Sequence, residues 1–341
     1  MCLPKNSFFG IFSAGIAVHK SIHSKLQEVT MKKDLLHLLK CPSCGHDEIC
    51  IEHVRTKFFL DDQNKKIEFI REGLLKCPKC NMLYPIIDDV PTLLRESQFN
   101  EQEKAFCRNY DKTRETVTLD YVPLSETERH AKIKAKLLQY PFYREETYTD
   151  EKSKKWIRNV VEYEVKYAHL KEKYLRTLQT KLKKIPTRIL DIGGGQAGAI
   201  HCFQQEFKPE FAILLDLDER FTPIAKLRND HIDVIRGDGT NMPLKNKAID
   251  LSISNGCMEH VFEWQKMMAE IKRVGTETYL SYIPNGSFPW EIGHLQAPLV
   301  PILPKPIARK VCYYWHKLLN NKHFSYDLID YNLSMTFFVP S

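Results

Sequence analysis

The chain holds 341 residues, 43% of them hydrophobic and 27% charged, with a formal net charge of +7. At about 150 residues per domain this length suggests two domains. The balance of apolar and charged residues argues against a disordered, collagen-like or low-complexity chain. No uninterrupted apolar run approaches the ~18 residues that span a bilayer, which argues against an integral membrane protein. The mild positive charge permits RNA or an anionic surface as a partner and requires neither.

Residues 8–18 (FFGIFSAGIAV), with Lys5 before them, have the texture of a short signal h-region, yet no small-residue cleavage site follows. We expect residues 1–30 to be a disordered extension; a membrane-touching helix and a targeting segment are the alternatives. Met31 opens a natural domain start, and residues 31–96 read as one small unit. DLLHLL (34–39) is a helical turn leading into Cys41-Pro-Ser-Cys44. Residues 49–60 and 67–75 read as strands around the polar turn DDQNKK. After Cys77-Pro-Lys-Cys80, YPIIDDVPTLL reads as one strand closed by proline. Residues 97–185, rich in Lys, Glu and Tyr, form a helical linker and cap. Its strongest periodicity, over 152–182, puts Trp156, Val160, Tyr163 and Tyr167 on one face, expected to pack over the next domain.

From residue 186 to 341 the texture changes. RILDIG, FAILLDLD, IDVIRGD, AIDLSISN and ETYLSYIPN alternate with helical segments. This predicts an α/β fold with a doubly wound, mainly parallel sheet, joined to the small N-terminal zinc-ribbon-like β domain. Past residue 283, closely spaced prolines and Trp290 predict an ordered loop, followed by the basic, aromatic helix ARKVCYYWHKLL.

Ten cysteines in a chain of this length are no disulfide scaffold, and we read the compartment as reducing cytosol. Cys41, Cys44, Cys77 and Cys80 form two C-x-x-C pairs. A structural zinc ion wants four thiolates in a tetrahedron, and each tight turn supplies half of it. The 32 residues between Cys44 and Cys77 exceed the ~15–20 of common zinc ribbons, and the predicted hairpin fills the gap. A redox role is disfavoured because no thioredoxin-like β-α-β pattern surrounds either pair.

LLHLLKCPSC, GLLKCPKC and YPIIDDVPTLL together resemble the small zinc-binding activator subunit of eukaryotic tRNA and release-factor methyltransferases, and its stand-alone bacterial relatives. The last segment is similar to that family's Tyr/Phe-Pro-Ile-x-Asp-Gly-Ile-Pro-x-Leu-Leu ending, with Asp89 in the place of the usual glycine. The resemblance implies a unit that braces a methyltransferase.

Asp191-Ile-Gly193-Gly194-Gly195-Gln-Ala-Gly198 follows a predicted strand and opens a helix. Glycines serve where backbone must turn tightly and approach a ligand. The loop alone fits a dinucleotide as well as S-adenosylmethionine. Its surroundings decide: Asp191 at the strand end can hold the loop and face a cationic amino-acid moiety. Asp216 ends the next strand, where a carboxylate accepts from ribose hydroxyls; Asp238 and Gly239 follow the third, where an acid accepts from the adenine amine and Met242 can pack on the ring. Asn255 ends the fourth strand, beside the expected path of a methyl group.

LDIGGGQAG, LLDLD, GDGTNMPL and IDLSISNGCMEHV in this order resemble the class I S-adenosylmethionine-dependent methyltransferases, in the branch similar to ubiquinone and menaquinone biosynthesis enzymes. The resemblance implies that Asp191, Gly193 and Gly195 form the methionine-end loop, that Asp216 is the ribose acid and that Asp238 is the adenine contact. Two departures stand out: Arg273-Val274 runs directly into GTETYLSYIPN without the family's Lys-Pro-Gly-Gly, and only LSMTFFVPS remains for a final antiparallel pair, so the C-terminal edge is expected to be minimal or cut short.

Methyl transfer is an in-line displacement, so the protein mainly aligns the partners; a base serves only where the acceptor must lose a proton. Catalytic candidates are His260, His294 and Glu291, with Glu259 beside His260. The function expected is methyl transfer to an oxygen or nitrogen of a small molecule, with S-adenosyl-L-methionine and a structural zinc ion. Methylation of RNA or a translation protein is the alternative, favoured by the clusters KSKKWIR and TKLKKIPTR.

Overall fold

The computed structural model describes residues 31–60, 66–110, 124–166, 180–229, 231–281, 287–291, 295–319 and Ile329. The expectations for residues 1–30, for His294, for 167–179 of the long helix and for LSMTFFVPS lie outside the described residues.

Strand β1 (Met31–Lys32) and a 3-10 turn (Lys33–Leu38) lead to the first cysteine pair. Strands β2 (Cys50–Leu60) and β3 (Lys66–Lys76) pair antiparallel, and β1 and β4 (Leu83–Ile87) share the other edge of β3. YPIIDDVPTLL is two strands rather than one. β4 turns back at Asp88 and Asp89 into β5 (Val90–Leu93). Both turn residues have left-handed backbones, φ 49° and 67°, the twist that matches a two-residue hairpin.

The next strands are β6 (Arg188–Ile192), β7 (Phe211–Asp216), β8 (Ile232–Gly237), β9 (Ile249–Asn255) and β10 (Gly275–Ser281), all parallel to their neighbours in the order β8-β7-β6-β9-β10. β7 and β8 are buried along their whole length. A parallel sheet covered on both faces requires this, and it explains their continuous apolar runs. β5 pairs parallel with β8, Thr92 opposite Arg236 and Leu93 opposite Gly237, so the N-terminal strands and the parallel strands make one ten-stranded sheet. The core is shared as well: Leu35, Leu39, Ile70 and Tyr84 belong to the same apolar cluster as Leu190, Ile213, Ile249 and Ile271.

Helices α1 (Glu101–Asn109), α2 (Glu126–Leu137) and α3 (Glu151–Lys166) form the cap; α4 (Gly198–Phe207), α5 (Thr222–Arg228) and α6 (Trp264–Val274) connect the parallel strands. The buried face of α3 is Ser153, Ile157, Val161 and Val165, not the predicted stripe. Val161 and Val165 pack with Ile133, Leu137 and Ile224 of α2 and α5. Trp156 turns outward, edge-on to Phe142 and Tyr148 at 6.1 and 6.2 Å between centroids. The proline-rich stretch holds β11 (Trp290–Glu291) and β12 (Ala297–Pro298), followed by α7 (Lys305–Leu318). No described helix is long and apolar enough to cross a membrane.

Candidate active site and metal centre

The strand order gathers residues that are far apart in sequence. Adjacent strands lie ~4.8 Å apart, so the carboxyl ends of β8, β7, β6 and β9 bring Asp238, Asp216, the glycine loop and Asn255 side by side. Connections leave β6 toward β7 on one side and reach β9 on the other. A crevice opens at such a reversal.

Gly193 has φ +66°, and a Cβ there would lie 2.1 Å from the sulfur of Cys257. At Gly194 a Cβ would lie 2.6 Å from Oδ2 of Asp191. Glycine is therefore required at both positions, once for the backbone angle and twice for space. Gly195 N–H donates to Oδ2 of Asp216 at 2.7 Å, and Asp218 N–H donates to Oδ1 at 2.8 Å, so the acid is locked to the loop. Asp191 is 1% exposed; its Oδ2 accepts from Ile200 N–H at 3.3 Å, while Oδ1 has no hydrogen-bond partner. Burial pushes its carboxyl up to about 7, with Asp216 adding to the rise. Burial raises Asp216 too. Asp238 behaves oppositely. Burial works against its charge, but hydrogen bonds from the Thr240 hydroxyl and N–H, at 2.7 and 2.8 Å, and from Gln98 at 2.9 Å outweigh it and hold the carboxyl below its usual range. Cys257, under the loop, is pushed up to about 12 by burial and then by the charge of Asp216, so it is a neutral thiol and no nucleophile.

Two chambers flank the loop, both lined by Gly193 and Gly195. One, of about 610 Å³, is lined by Asp216, Asp238, Gly239, His260 and Met267. The other, of about 270 Å³, is lined by Asp191, Asn255, Gln196, Tyr143 and Glu164. Met242 is wholly buried in the core; the methionine at the cavity wall is Met267 of α6. His260 is exposed at the rim of the larger chamber. Asn255 Oδ1 accepts from the Ser281 hydroxyl at 3.2 Å.

Glu291, a catalytic candidate from the sequence, lines neither of these two chambers. Its carboxylate accepts from the N–H groups of Leu295 and Gln296, the latter at 3.0 Å. The carboxylate supplies an acceptor for both donors.

Residues that sequence reasoning missed come from outside the strands. Gln98, from the segment after β5, donates to Asp238 Oδ2. Glu103 of α1 accepts from Thr92 at 2.6 Å and pairs with buried Arg236. Tyr143 and Glu164 come from the cap. Gln196 was passed over too, although it lies inside the glycine loop; the other four carried no signal in their neighbourhood.

At the other end of the sheet, the sulfurs of Cys41, Cys44, Cys77 and Cys80 all lie within 4.8 Å of one another. Two build matching turns. Cys41 N–H donates to His46 O at 2.8 Å and Cys77 N–H to Met82 O at 3.0 Å; Gly45 and Asn81, both left-handed, return their N–H groups to Cys41 O and Cys77 O at 2.8 and 2.9 Å. Across the pairs, Cys41 Sγ and Cys80 Sγ are 3.7 Å apart, and Cys44 Sγ and Cys77 Sγ 3.6 Å. A tetrahedron with Zn–S near 2.3 Å has edges of ~3.8 Å, so the donor set fits a metal ion of that size. Buried Tyr84 sets its hydroxyl 3.0 Å from Cys41 Sγ, the kind of outer contact that orients a ligand.

Residues 190–277 match the sequence model of the methyltransferase domain family. This stretch is a class I methyltransferase domain. Among solved structures, the chain is similar to the YcgJ protein of Bacillus subtilis (16% identity over 33% of this chain and 51% of that one, TM-score 0.29). It is also similar to an S-adenosylmethionine-dependent methyltransferase of Aquifex aeolicus (17% identity, 44% and 86%, TM-score 0.31). A third likeness is to a complex containing the Haloferax volcanii Trm112 methyltransferase activator (14% identity, 33% and 52%, TM-score 0.28). The chain spans about half the length of the Bacillus halodurans and Bacillus subtilis structures it matches, 49% and 51%. No curated protein matches the sequence. The methyltransferase domain thus occupies the parallel end of the sheet, and its matched residues include Asp191, Asp216, Asp238 and Asn255.

Proposed function

We propose that the chain is an S-adenosylmethionine-dependent methyltransferase acting on an oxygen or nitrogen of a small molecule, with a zinc-binding N-terminal unit of the activator type fused to it as a brace. One observation carries the reading. Asp191 lines the smaller chamber and Asp216 and Asp238 the larger, on either side of the glycine loop, and among the described residues no Lys, Arg or His lines the smaller one. Carboxylates repel the pyrophosphate of a dinucleotide and attract a sulfonium and an ammonium. The open space over Gly195, where a Cβ would meet nothing within 4 Å, suits close backbone approach by such a ligand.

S-adenosylmethionine, when bound, supplies a methyl group already activated on a cationic sulfur. The residues of the chain hold and orient. Asp216, fixed by two backbone N–H groups, keeps lone pairs for ribose hydroxyls; Asp238, ionised, accepts from an exocyclic amine. Asn255 and the loop wall the side from which an acceptor approaches. His260, exposed at the rim, is the group placed to receive an acceptor proton. Cys41, Cys44, Cys77 and Cys80 would hold a structural zinc, and free cysteines among the described residues suit a reducing, cytoplasmic setting. Gln98 and the β5–β8 pairing link that unit to the cofactor site.

Asp216→Ala removes two hydrogen bonds worth ~1–1.5 kcal/mol each and is expected to weaken S-adenosylhomocysteine at least about tenfold in calorimetry. Unchanged affinity removes Asp216 from the site. Incubating a cell extract with labelled cofactor sorts the acceptor. Label in small metabolites supports the reading, and label in RNA or protein overturns its small-molecule part.

A further inference from the structure

Helix α7 lines neither of the two chambers, and it carries two apolar faces. Packing accounts for one of them. Ala308 and Cys312 are buried with Leu295, Ala297 and Val300 of the preceding segment. Two side-chain bonds fix that face inward. His316 Nε2 donates to Leu295 O at 2.6 Å, and Trp315 Nε1 donates to Gln296 O at 3.2 Å.

The other face is turned to solvent. Ile307, Val311, Tyr314 and Leu318 follow one another at steps of four, three and four residues. At 3.6 residues per turn these steps keep all four within ~60° of one another around the axis. Ile307 is 51% exposed, Tyr314 61% and Leu318 79%, with Val311 half-buried between them. Ile302 ahead of the helix and Leu319 behind it are exposed as well. Single exposed apolar residues are ordinary, whereas a contiguous stripe marks an interaction surface. The bonds of Trp315 and His316 keep the helix from rolling this stripe inward.

Charge selects the partner. Lys310 and Lys317 are exposed along one flank of the stripe, and Lys305 is exposed in the first turn. From residue 292 to 326 the sequence holds Lys305, Arg309, Lys310, Lys317 and Lys322 and neither Asp nor Glu. A second copy would set these cations against their own kind, and like charges repel. RNA would meet the cations, but its bases stack on aromatic rings and offer nothing to Ile307 and Leu318. An anionic bilayer surface meets both features. Aliphatic side chains enter the acyl boundary, a tyrosine sits at headgroup depth, and lysines reach the lipid phosphates. We propose that α7 is a surface anchor, laying the stripe from Ile307 to Leu318 on a membrane that carries anionic lipid. The helix lies along that surface and does not cross it, because its 14 residues are too few to span a bilayer.

Sedimentation of the full chain with lipid vesicles tests the assignment. Vesicles of phosphatidylcholine with about 30% phosphatidylserine are expected to bind the chain, and pure phosphatidylcholine at least about tenfold more weakly. The double variant Ile307→Gln, Leu318→Gln is expected to lose at least about tenfold in affinity for the anionic vesicles. Lys310→Glu with Lys317→Glu is expected to lose about as much. Both pairs are exposed, so the melting temperatures should stay within about 2 °C of the wild type. Vesicle binding that the glutamine variant leaves unchanged puts the contact elsewhere in the chain and overturns the assignment. Equal binding to neutral and anionic vesicles overturns it too. So does an absence of vesicle binding: retained binding of single-stranded RNA then gives the cations to RNA, and a dimer lost in the glutamine variant gives the stripe to a second copy.

Discussion

Both ends of the sheet present negative groups, at different spacings. At the N-terminal end four sulfurs crowd within 4.8 Å of one another, held by turns that repeat the same hydrogen bonds. At the parallel end, three carboxylates are spread over the carboxyl ends of three adjacent strands, with no cation among the described residues lining the smaller chamber. Spacing sets the size of the guest: a single small ion satisfies the first arrangement, whereas the second needs an elongated organic cation. The ends also differ in what surrounds them. The thiol turns lie at the margin of the fold, while the carboxylates stand on strands buried throughout.

The contrast is broken most forcefully at the thiols. Cys77→Ser is expected to empty the site of zinc by elemental analysis and to lower the melting temperature by about 5 °C, or roughly 3–4 kcal/mol. The apolar cluster crosses from one end to the other, so the melt should remain a single transition. Two separated transitions would show that the ends fold independently. Gly193→Ala follows. A Cβ placed 2.1 Å from Cys257 Sγ, on a backbone at φ +66°, costs about 3 kcal/mol, or roughly 100-fold in affinity for S-adenosylhomocysteine, with zinc content unchanged.

A smaller effect sharpens the account of the carboxylates. Asp191 titrates near 7 rather than 3.8 because burial disfavours its charge. Between about pH 4 and 7 the native state therefore keeps a proton that the unfolded chain has lost, and the ligand-free protein loses stability as pH rises through that window. Affinity for a cationic ligand runs the other way, rising about tenfold from pH 6 to 8 as the proton leaves. Asp191→Asn should flatten both slopes in melts and titrations. The smallest effect is a gain. Asp89→Gly relieves a non-glycine residue at φ 67° and should stabilise the hairpin by ~0.5–1 kcal/mol in denaturant unfolding.

What the sequence made legible follows burial. RILDI, FAILLD and IDVIRG carry mostly apolar residues because both faces of their strands are covered, and the acids at or just past their carboxyl ends marked where the crevice opens. The doubled C-P-x-C announced a four-thiol cluster because each of its two turns is local and supplies half of the donors. Long-range choices were not legible. Nothing in VPTL says that it pairs with IDVIRG, 140 residues away, since any short apolar strand could. Nor does a glutamine after that strand announce its bond to Asp238. On α3, aromatic spacing suggested one face, and the shorter aliphatic residues took the core because they fit between α2 and α5. Nor does the sequence show that the Glu291 carboxylate accepts from the N–H groups of Leu295 and Gln296.

The parallel pairing of β5 with β8 has a consequence for dissection of the chain. Removing residues up to 96 would do more than delete a brace. It would leave β8, buried along its length in the intact protein, as a naked margin with Arg236 and Gly237 facing water. Such a margin recruits strands from other copies, so the shortened catalytic half is expected to precipitate even where its own core can form.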